Sequence, residues 1–198
     1  MRIAIVSASP RKGSESARVA RYLATRLEGR CEAWVRDLGE APIPMWEPGM
    51  SGQPSWVNAW EPLARGLQES DALVLVAPEW NGMAPPAAKN LLMACGHAEV
   101  AHKPGLIVGV SAGVSGTWPV AELRLTGAKN NRLCWIPDHL ILRGVGGLFA
   151  GETPASPIDE QLRARVDATL GLLIAYAEAL RGVRASGAAD LARFPNGM

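Results

Sequence analysis

The 198-residue sequence has little charge imbalance, few cysteines and no long apolar run, and each absence excludes a class of protein. Twenty Lys and Arg against 19 Asp and Glu leave a net charge of +1, so no basic field attracts nucleic acid or an anionic membrane surface. Three widely spaced cysteines do not suggest a disulfide framework, which favours a reducing compartment. No apolar run approaches the ~20 residues needed to span a bilayer, and the N-terminus does not resemble a signal peptide. We therefore expect a cytoplasmic protein.

Motifs for several chemistries are also missing. The loop after the first predicted strand contains neither G-x-G-x-x-G nor G-x-x-x-x-G-K-[ST]. Their absence argues against a Rossmann-type dinucleotide site and against a P-loop nucleoside-triphosphate site. No G-x-S-x-G is present, so a Ser–His–Asp triad lacks its nucleophile turn. His97, His102 and His139 have no metal-ligand spacing, and we expect no bound metal.

Apolar runs alternate with stretches of helical spacing. The runs, which we predict to be strands, cover residues 3–6, 33–35, 73–77, 106–110 and 140–142. The stretches with a one-sided apolar pattern, which we predict to be helices, cover residues 16–27, 85–95 and 158–180. This alternation predicts an α/β fold in which a parallel sheet lies between helices.

Two segments depart from the alternation. Residues 41–62 contain five prolines and three tryptophans, and we predict a long connection that is functional or mobile. The last residues are small and polar, so we predict a single domain over residues 1–184 and a loosely ordered tail over 185–198.

Ligands of open parallel sheets bind beyond the carboxyl ends of the strands, which points to three loops. The loop after the first strand is rich in serine and carries Arg11 just before a helix. Hydroxyls and unpaired N–H groups at a helix N-terminus are typical of an anion site. The alternative is that Ser14 only caps the helix. The loop contains Ser7, Ser9, Ser14 and Ser16, a glycine, and Arg11 with Lys12.

The loop after the third strand runs from Pro78 through Glu79, Trp80 and Asn81 to Gly82. The proline and the Asn–Gly pair are typical of turns, but they do not explain the Glu–Trp pair. An aromatic side chain at the carboxyl end of a strand suits a flat heteroaromatic ligand, although core or dimer packing would explain it too.

The loop after the fourth strand has two glycines that let the backbone approach a ligand closely. Its candidate ligand-binding residues are Ser111, Gly113 and Gly116.

Together, the loops resemble the NADPH-dependent FMN reductase family, flavodoxin-like proteins that include quinone, azo-dye and chromate reductases. The family's Gly-Ser-x-Arg-x-x-Ser-x-Asn corresponds to the stretch from Ala8 to Ser16. Its Pro-Glu-Tyr-Asn, followed by Lys-Asn, corresponds to Pro78-Glu-Trp-Asn81 with Lys89-Asn90. The similarity extends from Met1 to about Arg124. Trp80 stands where the family usually has Tyr, and Met83 where a small hydroxyl residue is common.

The resemblance implies a flavodoxin-like three-layer sandwich whose five-stranded parallel sheet has the order 2-1-3-4-5. It implies that Ser9, Arg11, Ser14 and Ser16 hold the FMN phosphate. The isoalloxazine and ribityl chain would lie along Pro78, Glu79, Trp80 and Asn81, with residues 111–116 as the glycine-rich flavin loop. Whether Trp80 and Met83 stack on the flavin or obstruct its site stays open at this point.

The implied function is an FMN-dependent NAD(P)H oxidoreductase. It would transfer hydride from NADPH or NADH to flavin and then to a small electron acceptor. No catalytic acid or base is expected, since the flavin carries the chemistry and the protein supplies orientation and local charge. We expect backbone N–H groups of Asn81 and the 111–116 loop to stabilise negative charge on the reduced flavin. The alternative is a flavodoxin-like electron carrier or a flavin-binding protein without turnover. The resemblance also implies a homodimer or homotetramer, for which the Ala84, Ala87, Ala88 and Leu91 face is either an interface or core.

Overall fold

The computed structural model describes residues 1–196, which form six strands and six helices. The strands are β1 (Arg2–Ser7), β2 (Glu32–Asp37), β3 (Ala72–Pro78), β4 (Pro104–Val110), β5 (Cys134–Trp135) and β6 (Leu140–Leu142). The helices are α1 (Glu15–Thr25), α2 (Pro54–Gln68), α3 (Pro86–Ala94), α4 (His97–Val100), α5 (Thr117–Thr126) and α6 (Pro157–Ala185). Short 3-10 turns cover Met50–Gly52 and Val145–Gly147.

The sheet is parallel throughout, and its order is β2-β1-β3-β4 with β5 and β6 beyond β4. The predicted order 2-1-3-4-5 is confirmed. The fifth position differs from the prediction because two short strands share it. β5 pairs with the start of β4 and β6 with its end, and Pro137, which has no N–H to give to a ladder, lies between them.

Side chains that alternate along the buried strands divide the core into two layers. Ile3 and Ile5 of β1 pack beneath α1 and α6, whereas Ala4 and Val6 pack beneath α2, α3 and α5. Strands covered on both faces are apolar along their whole length, as β3 and β4 are. The predicted three-layer sandwich is confirmed.

The predicted connection at residues 41–62 is wrong over its second half, where α2 begins at Pro54. Proline suits the first position of a helix, where Pro54 stands. Pro62 lies inside α2, where proline disfavours a helix, and for this reason the sequence did not predict one. Tertiary packing offsets this cost. Gly66 lies against the Trp34 indole, where a Cβ would clash, and Leu63 and Leu67 are buried.

The face at the start of α3, for which the sequence left interface or core open, is largely core. Ala84, Ala88 and Leu91 are buried within the chain, and Ala87 packs partly against the same cluster.

The long helix α6 ends at Ala185, close to the predicted start of the tail. The Arg132 guanidinium donates to the Phe194 carbonyl oxygen at 2.6 Å, so part of the tail contacts the domain. Gly197 and Met198, the end of the predicted tail, lie outside the described residues, and the division of the chain at residue 184 stays a prediction. No helix within residues 1–196 is long and apolar enough to cross a membrane.

Candidate functional site

The loops after β1, β3 and β4 meet at the carboxyl edge of the sheet and enclose a cavity of about 290 Å³. Parallel pairing of β1, β3 and β4 brings these loops together although up to a hundred residues separate them in sequence. The cavity is lined by Ser9, Arg11, Ser14, Glu15, Ser16, Pro78, Glu79, Trp80, Val110, Ala112 and Val145.

The loop after β1 leaves hydrogen-bond donors open to the cavity. The Ser14 hydroxyl accepts the Ala17 N–H at 3.1 Å and so caps α1, and the Ser9 hydroxyl accepts the Arg11 N–H at 3.3 Å. Within residues 1–196 neither hydroxyl donates its own hydrogen to another protein atom. Ser14 therefore caps the helix and keeps a donor, so the two sequence interpretations are compatible. First-turn N–H groups of an 11-residue helix add to this anion-attracting end.

The Arg11 side chain lies on the cavity wall and contacts Trp80. Its guanidinium lies 5.6 Å from the centroid of the Trp80 ring, within cation–π range. The side chain therefore links the loop after β1 to the loop after β3 across the cavity mouth.

The loop after β3 is a two-residue hairpin. Trp80 and Met83 exchange both backbone hydrogen bonds, at 3.1 and 2.9 Å, while Asn81 and Gly82 both have positive φ. Asn–Gly is the pair that favours this tight turn. The hairpin holds Trp80, 43% exposed, against the cavity, and Met83, 52% exposed, outside its wall.

The end of the hairpin is anchored to α5. The Glu122 carboxylate accepts the Ala84 N–H at 2.8 Å and pairs with Lys89 at 3.1 Å. The hydrogen bond from the Ala84 N–H is the main cause that holds the pKa of Glu122 below its ordinary value. Burial raises this pKa, and Lys89 lowers it. Lys89 of the Lys–Asn pair therefore holds the loop rather than lining the cavity.

Glu79 joins the loops after β3 and β4. Its carboxylate accepts the Ser115 hydroxyl at 2.9 Å and the Gly116 N–H at 2.7 Å. The same loop is folded on itself by the Ser111 hydroxyl, which accepts the Gly113 N–H at 3.1 Å. The Glu–Trp pair that turn chemistry did not explain therefore supplies one inter-loop anchor and one aromatic wall.

The structure places seven of the eleven predicted site residues on the cavity wall. They are Ser9, Arg11, Ser14, Ser16, Pro78, Glu79 and Trp80. The other four lie on the same loops but not on the wall, and they are Asn81, Ser111, Gly113 and Gly116. Their hydrogen bonds and positive φ values shape the loops.

Sequence reasoning missed Glu15, Val110, Ala112 and Val145 on the wall. Val145 arrives there because Arg18 of α1 donates to its carbonyl oxygen at 2.7 Å, and no local pattern signals this contact. It also missed Gly109, where a Cβ would clash with the Gly116 carbonyl oxygen, so glycine lets the loop fold back over β4.

The first half of the segment at residues 41–62 runs along α3. The buried Asn90 side chain accepts the Trp46 N–H at 2.7 Å and donates to the Pro44 carbonyl oxygen at 2.8 Å. A second cavity of about 200 Å³ lies between this segment and Pro10 of the loop after β1. The segment therefore borders the site, although its residues are absent from the wall of the main cavity.

The residues present fit a phosphorylated, flat ligand such as FMN. Ser9 and Ser14 keep hydroxyl hydrogens to donate, Ser16 lies beside them, and α1 directs its positive end at the same place. The rest of the wall is mostly apolar and includes an indole. No cluster of three or more His, Cys, Asp or Glu side chains within residues 1–196 has the geometry of a metal site.

Comparison with known proteins agrees with this fit. A family model described as NADPH-dependent FMN reductase matches residues 1–145. An NADPH azoreductase of Bacillus sp. (strain OY1-2) is 28% identical over 116 residues, which are 59% of this chain and 62% of the relative. A quinone reductase of Pseudomonas putida is 28% identical over 118 residues, 58% of this chain and 62% of the relative. The chain thus spans less than two thirds of the length of either relative.

Solved structures agree on the fold. FerB, a flavoenzyme NAD(P)H:(acceptor) oxidoreductase from Paracoccus denitrificans, covers 91% of this chain and 97% of its own length, with a TM-score of 0.65 and 21% identity. An archaeal flavodoxin covers 91% of this chain and 99% of its own length, with a TM-score of 0.51 and 16% identity. The flavodoxin-like fold and the family resemblance are both confirmed: this chain belongs to the NADPH-dependent FMN reductase family.

Proposed function

We propose that the protein is an FMN-dependent NAD(P)H oxidoreductase. It transfers hydride from NADPH or NADH to bound FMN and then to a small acceptor such as a flavin, a quinone, an azo compound or a metal oxyanion. The observation that carries the proposal is that serine donors at the start of α1 and the Trp80 indole share one cavity. Family membership supports it, and the azoreductase and quinone reductase relatives support the acceptor classes.

In this proposal the serine loop holds the phosphate. Ser9, Ser14 and Ser16 donate hydroxyl hydrogens, and Arg11, whose guanidinium lies over Trp80, adds positive charge to the same cavity. Pro78, Glu79, Trp80 and Asn81 border the ring and the ribityl chain. Ser111, Gly113 and Gly116 set the shape of the loop on the other side.

Bound FMN supplies the chemistry of accepting and donating hydride, while the chain binds, orients and shields. The apolar side chains of Val110, Val145 and Pro78 line the cavity beside the ring. Trp80 provides a flat face beside the cavity and does not fill it, which supports stacking over obstruction. None of the three histidines lines the cavity.

An electron carrier without reductase turnover is the second candidate. Carriers are usually strongly acidic where they dock to partners, and a net charge of +1 does not support that role. The family description, which names NADPH, favours the reductase.

We further propose a cytoplasmic homodimer or homotetramer. The free thiols Cys31, Cys95 and Cys134 support a reducing compartment. The exposed apolar side chains of Met93, Trp118 and Leu125, on α3 and α5, support a contact with a second copy. Light scattering coupled to size-exclusion chromatography measures the mass, and a monomer at all concentrations would contradict this part.

A spectroscopic experiment tests the function. The purified protein is mixed with FMN, freed of unbound flavin, and titrated anaerobically with NADPH or NADH. We expect bound flavin absorbance near 450 nm, as for any oxidised flavin, and bleaching by at least one nicotinamide. Bound flavin that neither nicotinamide bleaches would favour the carrier, and absence of flavin binding would contradict both.

A further inference from the structure

Glu79 makes contacts that the sequence did not predict. The carboxylate is half-buried on the cavity wall and accepts two hydrogen bonds from the loop after β4, from the Ser115 hydroxyl and the Gly116 N–H. Gly116 is the N-cap of α5, so the carboxylate lies at the positive end of a 10-residue helix. This position favours a negative charge and explains why the cavity wall tolerates one.

No basic side chain within residues 1–196 forms an ion pair with Glu79. The other carboxylate on the wall, Glu15, is paired with Arg18. Arg11, the cation of the wall, lies over Trp80. The charge of Glu79 therefore acts on whatever the cavity holds, and it acts strongly where water is excluded.

Several N–H groups of the loop after β4 already have acceptors within the protein. The sequence led us to expect that N–H groups of the 111–116 loop stabilise negative charge on the reduced flavin. Instead, the Gly116 N–H donates to Glu79, the Gly113 N–H to Ser111 and the Ser111 N–H to the Leu142 carbonyl oxygen. Glu79 therefore places a carboxylate on the cavity wall beside a loop in which three N–H groups already have protein acceptors.

We propose that Glu79 is a positioning residue that lowers the reduction potential of bound FMN. The inference rests on the proposed function. Uptake of a hydride, which is two electrons and one proton, gives a ring that carries one more negative charge than the oxidised ring. The Glu79 carboxylate on the same wall raises the energy of this added negative charge, because like charges repel. A lower potential makes the enzyme a stronger reductant towards its acceptor.

The test compares wild type with Glu79→Gln, both loaded with FMN, by spectroelectrochemical titration. The amide oxygen introduced by E79Q can still accept the Gly116 N–H, so the substitution removes charge and largely keeps shape. We expect the ratio of affinities for reduced over oxidised FMN to rise about tenfold in E79Q, which is about 30 mV towards positive potential for a two-electron couple. Glu79→Ala is a second variant without the charge and should shift the potential in the same direction.

Ser115→Ala is the matched control, because it removes one hydrogen bond to Glu79 and keeps the charge. We expect its potential to stay at the wild-type value. Equal potentials in wild type and both Glu79 variants would overturn this inference and leave the proposed function intact. An equal shift in S115A would also overturn it, since loop geometry and not charge would then be the cause. A wild-type protein that binds no FMN would overturn the proposed function first.

Discussion

The loop after β1 keeps its polar groups open to the cavity, whereas the loops after β3 and β4 bond theirs to one another. Ser9 and Ser14 each accept a backbone N–H and retain a hydrogen for a ligand. Glu79 and Ser111 instead accept donors from the loop after β4. One end of the cavity is thus suited to attract a charged group, and the other is a rigid, preorganised wall.

This difference has a physical reason. A phosphate needs several strong donors, and a helix N-terminus provides them without a ligand-specific loop shape. A flat ring offers few polar atoms, so its wall has to be positioned by contacts within the protein. The polar residues after β3 and β4 therefore hold these loops together, while Ser9 and Ser14 keep hydroxyl hydrogens that a phosphate could accept.

The largest expected effect comes from adding a negative charge at the end of the cavity that we propose binds the phosphate. Ser14→Asp keeps the cap, because aspartate also accepts the Ala17 N–H, but it removes a donor and repels an anion. We expect the Kd for FMN to rise about 100-fold, or about 2.7 kcal/mol, with little change in thermal unfolding. Isothermal titration calorimetry measures the Kd.

Lys12→Ala is the control for this variant, since Lys12 lies on the same loop, is largely exposed and pairs only loosely with Glu40 at 3.9 Å. Its Kd should stay close to wild type. An unchanged affinity in S14D would show that the serine loop does not hold the phosphate.

A smaller effect should follow from disturbing the rigid end. In Gly109→Ala the added Cβ clashes with the Gly116 carbonyl oxygen, and the loop after β4 has to move. We expect the free energy of unfolding to fall by about 2 kcal/mol. Urea denaturation measures it.

Gly113→Ala on the same loop is the comparison for this variant. Its nearest neighbour is the Ser111 hydroxyl at 4.0 Å, and its free energy of unfolding should change by less than about 0.5 kcal/mol. Equal stability of G109A and G113A would mean that the loop is not tightly packed on β4.

The smallest expected effect concerns pH and the Glu122 anchor of the hairpin. The folded pKa of Glu122 lies below its ordinary value, chiefly through the Ala84 N–H. The stability that the ionised Glu122 carboxylate contributes is therefore fully present above its unfolded pKa of about 4.3. It is lost as the pH falls through the lower pKa that Glu122 has in the folded protein. Because its side chain is 34% exposed, we discount the contribution to about 0.5 kcal/mol.

Urea denaturation of wild type and Glu122→Gln at pH 6 and at pH 3 measures this contribution. The difference between the two proteins should be present at pH 6 and shrink at pH 3. If the difference in the free energy of unfolding were the same at both pH values, it would come from packing and not from the charge of the carboxylate.

Much of the fold and the identity of the site loops could be predicted from local patterns. The β-branched runs that became β1, β3 and β4 are apolar along their whole length because both faces are covered. The helix α2 could not be predicted, since Pro62 opposes it locally. Only tertiary packing compensates: Gly66 lies against Trp34, and Leu63 and Leu67 of the helix are buried. The predicted strand at residues 140–142 is confirmed as β6, whereas the two-residue strand β5 was missed, because only its pairing with β4 defines it.

The sequence by itself determined which residue types stand at the ends of the strands: serines with Arg11, then Glu79 and Trp80, then a glycine loop. These are local properties of composition and turn chemistry, and they are visible without a fold. Only the tertiary structure decided what each residue contacts. Glu79 reaches Gly116 across 37 positions, and Arg11 lies over Trp80. Such contacts depend on the parallel register of β1, β3 and β4, which brings distant loops to one edge of the sheet.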